Sequence, residues 1–215
     1  MKRILYPFLL LIIAGLTACA TPEPYDYSAF KQAKPKSILV LPPSNQSPDV
    51  NASYSVLSRV THPLAESGYY VFPVAVVDEA FRQNGMTTPE DIHNVPLDKL
   101  YEIFGADAVL YIDVAEYGTS YRVISSDTRV TANAELVDMR TGQKLWSGSA
   151  TASSTEQSSS SSSVLVMMVQ AVIEQVANTL TDKGHEISGI TSARLLTAGT
   201  PNGILFGPRS PHSSL

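Results

Sequence analysis

Cysteine is nearly absent. Cys19 is the only one in 215 residues, so no internal disulfide can form and packing must stabilise an exported form. Basic charge is scarce too. A formal charge of −5 is a poor start for gripping nucleic acid, where phosphate neutralisation dominates affinity. The chain has no phosphate-cradling glycine loop ending in Lys-Ser or Lys-Thr, no Gly-x-Ser-x-Gly elbow and no His-Glu-x-x-His. His62, His93, His185 and His212 stand far apart without ligand spacing. Neither a metal nor an organic cofactor is expected. No internal repeat is visible, and a hydrophobic content of 44% argues for a folded globule rather than disorder.

One apolar run stands at the start. Lys2 and Arg3 precede Leu5 to Leu16, and Leu16-Thr17-Ala18-Cys19 closes the run with small residues before the cysteine. This is the pattern of a bacterial lipoprotein signal peptide. The run of 12 residues falls short of the roughly 20 that a helix needs to cross the hydrocarbon core. Residues 1–18 are therefore expected to be removed. Cys19, its thiol carrying a diacylglycerol, would then begin the mature chain. Acyl chains of the palmitate class contribute about 0.8 kcal/mol per buried methylene and would hold the domain at a membrane. Ala20 stands where an acidic residue would signal inner-membrane retention, so the expected location is the outer membrane, facing periplasm or surface. Loss of Lys2 and Arg3 with no acid takes the charge from −5 to −7.

Residues 19–36 contain Pro22, Pro24 and Pro35 and read as a lipid tether, part of which Tyr25, Tyr27 and Phe30 could dock. Residues 37–184 are expected to form a single domain. Its opening run, Ser37 to Leu41, suits a strand covered on both faces. Pro42-Pro43 ends it. Ser44, Asn45 and Ser47 then make a possible ligand loop at the C-terminal end of that strand, where open α/β sheets take ligands. Val56, Leu57, Val60 and Leu64 have helical spacing, with a kink or break expected near Thr61-His62 ahead of Pro63. Tyr69 to Val74 reads as a second strand, completing a right-handed crossover. Further helices are expected over Val76 to Gln83, from Thr88 as N-cap with Pro89 behind it, and over Pro96 to Phe104 with Gly105 as C-cap.

At Ala108 the apolar period changes from 3.6 to 2. Leu110, Ile112 and Val114 would share one face of a strand, with Tyr111, Asp113 and Tyr117 on the other. Val130, Ala132, Ala134 and Leu136 alternate with Arg129, Thr131, Asn133 and Glu135. Asp138 to Gln143 then turns the chain into Lys144 to Ser147, giving an antiparallel meander. The fold class expected is α/β of the α+β kind: a mixed sheet with an antiparallel meander, helices packed against it, in a single domain. Ser158 to Ser163 reads as a connection. Val164 to Leu180 reads as a helix for the core or for an interface, with Met167, Met168 and Val172 as the candidate partner or dimer surface. Residues 185–215 are expected to form a C-terminal extension with one short helix near Ser192 to Ala198 and a polar tail.

Asp78, Glu79, Asp107 and Asp113 could supply paired carboxylates for acid–base work, but turns, caps and solvated faces are commoner uses. No catalytic residue is assigned. The lipidation motif together with Tyr69-Tyr70-Val71-Phe72-Pro73-Val74-Ala75-Val76-Val77-Asp78, Gly105 to Ile112, Thr141 to Gly148 and Gly203 to Pro208 resembles a family of bacterial outer-membrane lipoproteins of unknown function. That family is distantly similar to the curli secretion channel lipoprotein and to the N-terminal domain of the Tol translocation protein. The resemblance implies a compact α/β domain, an outer-membrane anchor, dimerisation and a role in envelope transport or assembly. A curli-type pore needs paired strands of roughly 10 alternating residues. Gly118 to Thr128 reads as too short and polar for such a hairpin, so no pore is expected. The reading is a non-enzymatic, lipid-anchored periplasmic accessory or scaffold in envelope transport, secretion or assembly. Its expected partners are the membrane through Cys19, a second copy in a homodimer and an envelope protein, with no nucleic acid. A small-ligand or peptidoglycan-binding module using Ser44, Asn45 and Ser47 is the alternative, and an envelope hydrolase the third.

Overall fold

The uninterrupted apolar run at the domain's start becomes a strand buried on both faces. In the computed structural model, which describes residues 25–121, 126–157 and 183–213, it forms β1 (Ser37–Val40). The other strands are β2 (Ser44–Asn45), β3 (Tyr70–Val71), β4 (Ala108–Tyr121), β5 (Ser126–Asp138) and β6 (Lys144–Ser153). Their order is β3-β1-β4-β5-β6, with β2 also beside β4. β1 runs parallel to β3 and β4, while β4, β5 and β6 form the antiparallel meander. The helices are α1 (Ser28–Ala33), α2 (Ala52–Glu66), α3 (Val74–Gln83), α4 (Pro89–His93), α5 (Leu97–Phe104) and α6 (Lys183–Leu196). This is the mixed α/β architecture that the change of period implies.

Alternation along the strands divides the core into two layers. Ile38, Val40, Leu110, Ile112 and Val114 pack with α1, α2 and α6 through Phe30, Val56, Val60 and Ile187. Leu39, Leu41, Val109 and Val137 pack with α3, α4 and α5 through Val77, Phe81, Ile92 and Leu100. Beyond Val109 and Val137 that second layer stops, leaving Tyr111, Asp113, Asn133 and Glu135 half-buried or exposed on the sheet's outer face.

Local signals form as the residues dictate. Thr88 accepts the Asp91 N–H at 3.3 Å, and Gly105 takes the left-handed conformation at φ 64° to end α5. Asp107 binds the entry of β1: one carboxylate oxygen accepts the N–H of Lys36 at 2.9 Å and of Ser37 at 3.1 Å, and the Ser37 hydroxyl at 3.0 Å.

Several expectations change. α2 continues through Pro63, which lies buried in its closing turns, so the break expected at Thr61-His62 is absent. A proline there removes a single intrahelical bond, to the Arg59 carbonyl, and burial of its ring offsets part of that loss. The second strand shrinks to Tyr70–Val71, because Pro73 stands at the N-cap of α3 and that helix starts at Val74. Within residues 118–128, Gly118 to Tyr121 and Ser126 to Thr128 are the paired ends of two strands of 14 and 13 residues. The threonines there satisfy one another, with Thr119 and Thr128 hydroxyls 2.8 Å apart. Both strands are therefore longer than the roughly 10 residues that a pore-forming hairpin needs, contrary to the expectation.

Tyr117 faces the core rather than the outer surface. A β-bulge between Val114 and Glu116 inserts one residue against β5, which reverses the alternation and leaves Tyr117 only 4% exposed. Its hydroxyl donates to Ser55 Oγ at 2.9 Å. The last helix already covers Lys183–Leu196, well before Ser192, and carries Ile187, Leu195 and Leu196 into the core. Ser158 to Ser163 and the expected helix from Val164 to Leu180, with Met167, Met168 and Val172, lie outside the described residues.

Gly184 lies so close to the Tyr117 ring that a Cβ there would stand 2.6 Å from Cζ. Gly184→Ala should therefore lower the unfolding free energy of the full chain by about 1–3 kcal/mol, as overpacking does. Tyr117→Phe should cost about 1 kcal/mol through its lost hydrogen bond. Urea unfolding, with slopes compared to confirm an unchanged folded state, measures both.

Candidate functional site

Pro42 and Pro43 carry the chain off β1 and let β2 rejoin the sheet beside β4, with Ser44 opposite Asp113 and Asn45 opposite Val114. Where α4 leans over that junction, the sheet's uncovered face forms a shallow concavity of ≈ 400 Å³ whose walls include Ser44, His93, Tyr111, Asp113, Asn133 and Glu135. These come from four separated segments. Cross-strand register brings them together: Tyr111 faces Glu135, and Asp113 faces Asn133.

The Asp113 carboxylate accepts the Ser44 hydroxyl on one oxygen and the Gln46 side-chain N–H on the other, each at 2.8 Å. His93 Nε2 lies 2.8 Å from the Pro42 carbonyl. A carbonyl can only accept, so this nitrogen carries the proton. The ring meets Tyr111 edge-on, at 5.3 Å between centroids and 85°. Burial, and next the Glu135 carboxylate, push the Tyr111 phenol above its ordinary pKa. Glu135 in turn has Lys144 Nζ at 3.7 Å, both side chains largely solvated, a pair of little energetic weight. The arrangement offers a phenol, an amide, hydroxyls and carboxylates to a polar group. Ser44 is spent on a carboxylate, and a nucleophile needs a base oriented by a third group.

Of the expected ligand loop, Ser44 alone lines the concavity. Asn45 turns inward: its Nδ2 donates to the Asp49 carbonyl at 2.7 Å, and its Oδ1 accepts the Ser47 N–H at 2.9 Å and hydroxyl at 2.7 Å. Asn45 and Ser47 shape the turn that Asx residues commonly build. Cys19, Met167, Met168 and Val172 lie outside the described residues. Asp107 serves the backbone of β1, and Glu79 accepts the Gln83 amide at 2.9 Å along α3. Among the described residues, no group of three or more His, Cys, Asp and Glu side chains could hold a metal.

A second polar centre lies beneath the sheet. Ser55 Oγ is 2.9 Å from His185 Nδ1 and 3.2 Å from Ser188 Oγ while accepting from Tyr117. With the tyrosine donating, the Ser55 hydroxyl keeps one proton and one lone pair to share between His185 and Ser188, and the His185 tautomer sets which goes to which. Ser55 is only 7% exposed, so this serine–histidine pair ties α2, α6 and β4 rather than facing a substrate. The sequence points to Tyr111, with Tyr117 and Tyr121, as an outer sheet face for a partner, and it does not single out His93, Asn133 or Glu135 as site residues. Alternation places Tyr111, Asn133 and Glu135 outward, but nothing in one sequence says which strands stand side by side.

A family model described as "Putative lipoprotein GNA1162-like" matches residues 25–209. The protein named putative lipoprotein NMB1124/NMB1162 of Neisseria meningitidis is 51% identical over 202 residues, covering 93% of this chain and 94% of its own. The crystal structure of lipoprotein GNA1162 from Neisseria meningitidis is 55% identical, covers 67% of this chain and 99% of its own, and superposes with a TM-score of 0.53. A chain of the PelC dodecamer from Paraburkholderia phytofirmans matches at 13% identity, over 81% of this chain and 91% of its own, with a TM-score of 0.44.

The concavity's electrostatics can be titrated. Because Glu135 helps to raise the Tyr111 pKa, Glu135→Gln should bring the phenolate on at lower pH, read as the ultraviolet difference between variants with and without Tyr111→Phe. A pKa raised by folding gives stability that is fully present below the unfolded tyrosine value of about 10 and is lost as pH rises through the folded one. The Gln variant should lose less stability over that alkaline window.

Proposed function

The chain belongs to the GNA1162-like lipoprotein family, and from that membership we propose that it is a lipid-anchored accessory or scaffold of the cell envelope without enzymatic activity of its own. Cleavage after residue 18 leaves Cys19 to carry the acyl chains, and Ala20 directs the protein to the outer membrane, on its periplasmic or surface side. No helix among the described residues is long and apolar enough to cross a membrane. Transport, secretion or assembly is the proposed setting, the one implied by the expected likeness to the curli channel lipoprotein and the Tol protein. Dimerisation through Met167, Met168 and Val172 is part of the proposal and rests on their sequence pattern.

The observation that supports the scaffold reading is the uncovered face of β4, β5 and β6. Three cross-strand rows line it: Tyr111, Glu135 and Ser147, then Asp113, Asn133 and Ser149, then Glu116, Thr131 and Thr151. The opposite face of the same strands is packed, so the platform is rigid. Its acids, Asp113, Glu116 and Glu135, suit a partner surface of positive charge, since complementary charge speeds encounter and rejects wrong partners. Lipid anchorage raises the local concentration of that partner without adding a contact. The ≈ 400 Å³ concavity supports the second reading, a site for a small polar ligand or a peptidoglycan fragment. Its contacts would come from Tyr111, Asp113 and Asn133, because Asn45 is spent on its own turn.

Crosslinking in intact cells, with mass spectrometry of what co-purifies, tests the proposal. One envelope protein should be enriched with the wild type and lost both in Cys19→Ser and in a folded Asn133→Arg, Glu135→Arg double variant. Capture unchanged by the double variant would overturn the platform reading. A thermal shift by muropeptides that Tyr111→Ala abolishes would put the ligand reading in its place.

A further inference from the structure

Of the eighteen residues read from sequence as a tether, the last twelve, 25–36, are built into the fold. Phe30 is fully buried, the Tyr25 N–H donates to Asn202 Oδ1 at 3.1 Å, and the Tyr27 hydroxyl donates to the Gly203 carbonyl. Ring contacts continue the docking, with Tyr25 and Tyr27 centroids 4.9 Å apart at a tilt of 46°. Burial, and next the neighbouring Tyr25, push the Tyr27 phenol above its ordinary pKa. The chain is therefore fixed to the domain from Tyr25 onward. Cys19 precedes it by six residues, which span at most about 20 Å at full extension. A domain of this length is roughly 40 Å across, so a lipid on Cys19 cannot reach most of its surface.

Resting on the proposed lipidation of Cys19, we infer that one face of the domain lies against the lipid headgroups: α1 together with the loop at residues 200–203. Tyr25, the start of β6 and that loop border a single cleft, and Trp146 Nε1 donates to the Asn202 carbonyl at 3.0 Å, which holds the loop at the level of Leu136 and Leu110. The charge of this face fits an anionic surface. Residues 25–36 carry Lys31, Lys34 and Lys36, all exposed, against the single acid Asp26, in a chain whose net charge is −5. Basic side chains next to a lipid anchor are attracted to anionic headgroups, and the attraction fades within a Debye length of about 8 Å. The far end of β4 lies the other way: Ser120 stands ten residues along β4 from Leu110, about 33 Å distant.

The test uses the full, lipidated chain in vesicles of phosphatidylethanolamine and phosphatidylglycerol that contain a headgroup spin-labelled lipid as quencher. Cys19 is the only native cysteine and its acylated sulfur does not react, so a thiol-directed fluorophore reports one introduced site at a time. Fluorescence at Gln32→Cys and Pro201→Cys should be strongly quenched, and that at Ser120→Cys unquenched. Quenching at Pro201→Cys should drop when phosphatidylcholine replaces phosphatidylglycerol, and equally in Lys31→Glu, Lys34→Glu. Equal quenching at Ser120→Cys, none at Pro201→Cys, or no effect of either charge change overturns the inferred surface. Labelling of the unsubstituted chain, or its failure to float with vesicles, overturns the lipidation reading instead.

Discussion

Asp107 sets the register on which the two core layers depend. β1 is apolar at Ile38, Leu39, Val40 and Leu41 without interruption, so its pattern alone cannot choose which residues face which layer. A slip by one residue would exchange Ile38 and Val40 with Leu39 and Leu41, with little hydrophobic penalty. The choice is made by polar bonds at the strand's first residues. One oxygen of Asp107 takes three donors from Lys36 and Ser37, and the Asp107 N–H returns a bond to Ser37 Oγ at 3.0 Å. That fixes Ile38 beside Ala108. The parallel pair, the helices on each side and the exit toward β2 all follow from that register.

A second irregularity decides where the outer platform ends and the core resumes. The bulge between Val114 and Glu116 turns Glu116 outward in line with Thr131, which donates to it at 3.3 Å, and turns Tyr117 inward. The buried tyrosine needs a partner for its hydroxyl. Ser55 provides it, and through Ser55 the strand is joined to His185 and Ser188 of the last helix. One extra residue thus extends the polar face and helps to seat α6 on its other side. The small residues of α6 permit the approach, Gly184 lying directly on the Tyr117 ring.

What the sequence made legible and what it hid follow from the same physics. β1, the caps of α4 and α5, and the alternation of β5 rest on local spacing, and the structure reproduces them. The family resemblance held at the level of the lipoprotein family, because its quoted motifs span the matched region. Tyr117 was placed on the wrong face because a bulge leaves no mark in a single strand's pattern. Most of α6 went unseen because its buried face carries Ser188, Thr191 and Ser192, small polar residues that break the apolar pattern; Thr191 is accommodated by donating to the Val130 carbonyl at 3.1 Å. The concavity depends on Tyr111 meeting Glu135 across strands, a relation that no local window contains.

The docked N-terminal segment changes what a tethered scaffold can do. Eighteen mobile residues would let the domain range up to roughly 60 Å from its anchor, and six allow about 20 Å. Partner capture scales with the volume searched, so a shorter leash raises effective concentration near the membrane and removes it further out. Ordering residues 25–36 costs backbone entropy, about 1–2 kcal/mol per residue. Burial of Phe30 and the packed rings of Tyr25 and Tyr27 offset that cost. A chain selected only for reach would gain nothing from burying those rings. In the proposed lipid-anchored state, the arrangement favours a partner that is itself held close to the same membrane.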